Sequence, residues 1–282
     1  MKRILVPCDF SPTAVQAFEL AAEIATISRG EVLVLHAIEF VAAYETSFVA
    51  QPYTFNATVI EELEKDAQKN FDEMMRSHRT DPIPVHFYTD HGPIIDTIQQ
   101  FITDNEIDLV VMGTHGASGM KELFVGSNAE KIVRLSPVPV FSIKSPASLS
   151  SIHKIVFPTL PDLHQSHFVN KIKELQKFLD AHLYLLYVNT LANSMEERTI
   201  TASLNDYIRH YGFNNYTLNI INDTNEENGI IRFSEEINAD MIAMATHGRK
   251  GLAHFISGSI AEDVVNHVQC PVWTYTLKHH DS

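Results

Sequence analysis

The sequence predicts an α/β protein of two tandem domains, each an open parallel sheet of five strands flanked by helices. Short apolar runs alternate with amphipathic stretches, landmarks recur at fixed offsets, and each half carries a glycine-rich segment straight after an apolar run. Such alternation argues for parallel strands joined by right-handed helical crossovers, with helices on both faces.

The first strand falls near residues 2–7, where Ile4-Leu5-Val6 runs into Pro7. Ser11-Pro12 marks the start of a helix near 12–28, with proline at its first position. A second strand near 31–38, a helix near 58–78 and a third strand near 84–89 follow. Gly92-Pro93 opens a helix near 93–105 in the same way. Leu109-Val110-Val111-Met112 is continuously apolar, as in a strand covered on both faces, and places the fourth strand at 108–113. A helix near 126–135 and a strand near 139–144 complete the first half.

The second half repeats this order. Ile155-Val156-Phe157-Pro158 and the run 182–188 lie 151 residues after their counterparts. Asp240, Gly248, Ser259 and Pro271 lie 132 residues after Asp108, Gly116, Ser127 and Pro139. The first half therefore carries about 19 extra residues between its second and fourth strands. The aromatic stretch 40–56 accounts for part of them, as a lid, a docking surface or a loop packed on its own domain. The Ser-rich stretch 145–151 reads as a linker, which divides the chain into domains 1–146 and 152–282. Each half ends in an apolar strand. Two such edges in one chain are expected to pair, giving an intrachain pseudo-dimer.

With 21 Lys plus Arg against 35 Asp plus Glu, the formal charge is −14. That argues against nucleic acid and against an anionic membrane surface as partners. It leaves room for a mononucleotide, because backbone N–H groups hold phosphate without cationic side chains. No apolar run reaches membrane-spanning length. Cys8 and Cys270 read as inert thiols of a reducing compartment. The 15 histidines form no ligand set with metal-site spacing, so no metal residue is assigned.

Residues 113–127 read GTHGASGMKELFVGS and residues 245–259 read ATHGRKGLAHFISGS. Gly113 and Gly116 leave the fourth strand at the edge where open parallel sheets bind ligands. Gly126-Ser127 then opens a helix, whose N-terminus favours an anion. Ser127 and Glu130 also fit a capping box, which explains the serine and glutamate without a ligand but not the three glycines. Neither a P-loop nor a dinucleotide fingerprint is present.

The pattern Gly113-x2-Gly116-x9-Gly126-Ser127 resembles the nucleotide motif of the universal stress proteins. The opening ILVPCDFSPTA, the strand end His36-Ala37-Ile38 and the closing Pro137-Val138-Pro139-Val140 are similar too, and the likeness extends over both halves. The resemblance implies a Rossmann-like fold of the adenine nucleotide alpha hydrolase type. It implies ATP, ADP or AMP as ligand, with Mg²⁺ as a candidate companion. Pro7 and Cys8 would line the pocket, and Asp9 would contact the adenine or ribose side. Ala37 would meet the adenine edge through its backbone. Met112, Gly113, His115 and Gly116 would line the ribose and first phosphates, and Gly126, Ser127 and Asn128 would hold the outer phosphates.

The second half departs from this pattern. Thr159-Leu160 replaces Cys8-Asp9, and Ala245 replaces the first glycine, leaving Gly248, Gly258 and Ser259 as weaker candidates. Tighter nucleotide binding is therefore expected in the first domain. The role implied is a cytoplasmic stress-response regulator or sensor, with no catalytic residue assigned and at most slow ATP hydrolysis. An interaction module of the same fold without nucleotide, and an ATP-using enzyme, are the rival readings. A homodimer and an unknown protein partner stay open.

Overall fold

The computed structural model describes residues 1–39, 57–77, 83–114, 126–246 and 260–277. The first half contains β1 (Arg3–Pro7), α1 (Pro12–Ser28), β2 (Glu31–Ile38), α2 (Ala57–Ser77), β3 (Val85–His91), α3 (Ile94–Asp104), β4 (Leu109–Gly113), α4 (Ser127–Leu135) and β5 (Val140–Ile143). The second contains β6 (Lys154–Pro158), α5 (Ser166–Leu179), β7 (His182–Asn189), α6 (Glu197–Tyr211), β8 (Tyr216–Asn222), α7 (Glu226–Glu236), β9 (Met241–Ala245), α8 (Ile260–His267) and β10 (Val272–Tyr275). The stretch 40–56 lies outside the described residues. Part of the extra length is helix, since α2 has 21 residues and its counterpart α6 has 15.

The two expected five-stranded sheets are continuous. One ten-stranded sheet runs β3-β2-β1-β4-β5-β10-β9-β6-β7-β8. The ladders within each half are parallel. Between the halves, β5 and β10 pair antiparallel, with Val272 opposite Ser142, Trp273 opposite Phe141 and Thr274 opposite Val140. The seam maps onto itself when the halves are exchanged. The Ser142 hydroxyl donates to the Val272 carbonyl (3.1 Å), and the Thr274 hydroxyl donates to the Val140 carbonyl (3.5 Å).

The central strands are apolar because both faces are covered. Ile4 and Val6 face the layer containing α1 and α5, and Leu5 faces the layer with α3 and α4. Buried alanines 14, 17, 21, 22 and 25 let α1 lie close across β1, β2, β4 and β5. Its entry follows local rules: Ser11 caps it by accepting the Ala14 N–H, and Pro12 holds the first position. Pro93 departs from expectation by one residue, since it is the N-cap of α3 rather than its first helical residue.

A carboxylate clip recurs at the opposite end of the sheet. Asp108 Oδ2 accepts the N–H groups of Lys2 and Arg3, and Asp240 Oδ2 accepts those of His153 and Lys154. The Ser-rich junction is anchored rather than loose. Glu23 on α1 accepts the Leu149 N–H (2.9 Å) and the Ser148 hydroxyl (3.1 Å), while Leu149 and Ile152 are buried.

Trp273→Ala removes a fully buried ring at the seam and is expected to cost about 3–5 kcal/mol in a denaturant titration. Asp108→Ala is expected to cost about 1 kcal/mol, and to add to Asp240→Ala because the two clips share no partner.

Candidate functional site

The strand order 3-2-1-4-5 of the first half reverses between β1 and β4, and the crevice beyond such a switch point is where open α/β sheets take ligands. The end of β1 is tied to β2 beside it. The Cys8 N–H donates to the Leu35 carbonyl (2.9 Å), and His36 Nδ1 donates to the Cys8 carbonyl (2.8 Å), which fixes the proton on Nδ1.

The chain then turns sharply. Phe10 has φ +60°, a conformation that costs a bulky residue about 1–2 kcal/mol. Asp9 offsets that strain by accepting the Ser11 N–H at 3.0 Å, a turn that also delivers Ser11 to the cap of α1. The Phe10 ring lies 5.2 Å from His36 and 6.1 Å from Phe87, so an aromatic group flanks the edge. Phe10 escaped the sequence reading. Its signal was its place directly after the aspartate at a strand exit.

Of the residues expected to form the site, Pro7, Cys8, Asp9, Ala37, Met112 and Gly113 come together at the ends of β1, β2 and β4. Asp9 is exposed, and Pro7, Ala37 and Gly113 are half-buried. Cys8 and Met112 face inward, into the cores on opposite sides of the sheet, so at the edge they present backbone. Burial pushes the Cys8 thiol up to about 12, and Cys270 to about 11. His115, Gly116, Gly248, Gly258 and Ser259 lie outside the described residues.

The glycines of the motif do different jobs. A Cβ on Gly113 would sit 2.8 Å from the backbone of Thr13, so this glycine lets α1 approach β4. Among the described residues a Cβ on Gly126 would meet only the Thr114 carbonyl, at an ordinary 3.6 Å, and its φ of −64° needs no glycine. Packing among the described residues therefore leaves Gly126 unexplained.

The capping-box expectation for Ser127 and Glu130 is corrected. Gly126 is the N-cap, Ser127 is already helical and exposed, and among the described residues no side chain caps α4. The Gly126 N–H donates to the Thr114 carbonyl (2.8 Å), and the helix starts one residue earlier than a Ser127 cap would place it. Ser127, Asn128 and Ala129 then hold the first-turn N–H groups, for which an α-helix supplies no internal acceptor. Among the described residues no three His, Cys, Asp or Glu side chains gather to hold a metal ion.

The second half repeats the frame and alters the edge. The Thr159 N–H donates to the Leu186 carbonyl, matching Cys8 and Leu35. Leu160, in the place of Asp9, is 54% exposed. Asp162 takes over the turn, accepting the His164 N–H at 2.9 Å. This longer turn starts α5 at Ser166, later than α1 starts relative to its strand, which leaves room for the methyl of Ala245. Val188 stands where Ala37 does and packs on Gly229, where a Cβ would be 2.5 Å from a Val188 methyl.

A family model described as Universal stress protein family matches residues 1–144 and 220–275. The chain belongs to the universal stress protein family. It is 21% identical to the universal stress protein Slr1230 of Synechocystis, over 98% of this chain and all of that one. It is 27% identical to the universal stress protein MJ0531 of Methanocaldococcus jannaschii over 146 residues, 51% of this chain and 83% of that one. A solved universal stress protein of Archaeoglobus fulgidus superposes with a TM-score of 0.73 at 20% identity, over 97% of this chain and 96% of that one. The family resemblance read from the sequence thus holds, and the shared fold spans both halves. Among the described residues no helix is long and apolar enough to cross a membrane.

Gly113→Ala is expected to lower stability by about 1–3 kcal/mol in a thermal melt, because its methyl strikes helix backbone. The Cys8 thiol binds its proton more tightly in the fold than its ordinary 9.0, so its stabilisation is complete below about pH 9 and is lost as pH rises towards 12. Urea titrations should show wild type losing stability above about pH 9 more steeply than Cys8→Ala.

Proposed function

We propose that the first domain, residues 1–146, binds ATP in the crevice beyond β1, β2 and β4, and that the chain acts as a cytoplasmic stress-response regulator rather than a fast enzyme. Asp9 and the backbone of Pro7, Cys8 and Ala37 would face the base and ribose. Met112 and Gly113 would continue that wall, with His115 and Gly116 beyond it. The first-turn N–H groups at Ser127 and Asn128, with the Ser127 hydroxyl, would hold the outer phosphates. Gly126 contributes space rather than its N–H. Mg²⁺, when present, would neutralise phosphate charge.

The observation that carries the reading is the N-terminus of α4 at the strand-order switch, opened by Gly126, whose lack of a side chain no packing among the described residues explains. An anion there gains both the helix dipole and unpaired donors. The second domain, residues 152–282, offers Leu160 and Val188 where the first offers Asp9 and Ala37, which supports weaker nucleotide binding there.

Calorimetric titration of the full chain should give one tight ATP site. Gly126→Val should lower its affinity at least about tenfold with the melting temperature unchanged, because the side chain fills ligand space. Undiminished affinity in that variant would sink the assignment of the phosphate end.

A further inference from the structure

We infer that α4 and α8 form a joint that carries the ligand state of the first half into the second. The inference rests on the nucleotide reading above. α4 starts at the phosphate end of that crevice, and its first turn is tied to β4 through the Gly126 N–H. Glu130 on that turn accepts the side-chain N–H of Asn266 on α8 (3.1 Å). The Asn266 carbonyl in turn accepts the ammonium of Lys144, directly after β5 (2.5 Å). Two parts of the first half therefore hold one residue of the second.

A mirrored contact completes the joint. Glu262 on α8 lies 3.9 Å from Arg134 on α4. Glu130 and Glu262 occupy equivalent positions in the two halves, as do Arg134 and Asn266. The start of each helix is thus bound to the end of the other, and neither shifts without the other.

The joint is polar where an apolar contact would serve for mere adhesion. Burial lowers the proton affinity of Lys144, and among the described residues the buried Asn266 Oδ1 has no hydrogen-bond partner. An unsatisfied buried acceptor costs free energy, so this contact holds α8 less firmly than a fully paired one and responds to how the first turn of α4 is held. Ligand that orders the first turn of α4 favours the arrangement in which Glu130 grips Asn266, and α8 tightens with it.

The test is hydrogen exchange of residues 260–267 in the full chain, with and without ATP, beside calorimetric titration. ATP should slow exchange in α8 several-fold. Asn266→Ala and, from the other side, Lys144→Met should each abolish that slowing while ATP affinity stays within about threefold. Lys144→Met keeps the test open should Asn266→Ala misfold. ATP binding by calorimetry with α8 unaffected in wild type overturns the joint alone. So does slowing that survives both variants, which marks direct ligand contact at α8. Absence of any ATP binding overturns the joint together with the nucleotide reading.

Discussion

The antiparallel pairing of β5 with β10 is the contact on which the remaining architecture depends. Each half ends in a four-residue apolar strand, and an unpaired apolar edge templates aggregation. Joining the two edges places Phe141 opposite Trp273 and turns two marginal sheets into one. The pairing direction has a further effect. Because the halves run oppositely across the seam, their strand ends open at opposite sides of the sheet. The two crevices therefore cannot share a ligand, and a signal between them has to travel through the protein.

Most of the framework was legible in the sequence, since its causes are local. Continuous apolar runs located β1 and β4, and Ser11-Pro12 located α1. What escaped depends on tertiary contact. Ser127 reads as a cap until the bond from Gly126 to Thr114 displaces the helix start. That Gly113 also admits α1, with Thr13 against it, shows in no local pattern. The left-handed Phe10 leaves no composition signal. The Ser-rich junction reads as a linker, and its anchoring is hidden because Glu23 lies 125 residues earlier than Ser148.

Differences between the halves come as paired changes of volume. Where Ala37 becomes Val188, Thr97 becomes Gly229, against which Val188 packs. Where Gly113 becomes Ala245, the first turn of the helix above it is withdrawn. Close-packed interiors tolerate substitution when total volume is kept, and each exchange keeps it. The second half thus retains its frame while changing the chemistry of its edge.

The anchored junction has a consequence for how the two halves have diverged. A short tether holds the seam partners at an effective concentration on the order of millimolar, so the seam does not dissolve on dilution. In an assembly of identical subunits every substitution appears at both ends of the axis, and a change harmful to the working crevice is lost. Here Leu160 and Ala245 alter one crevice and leave its twin untouched. Joining the copies in a single chain lets the two crevices differ in their chemistry.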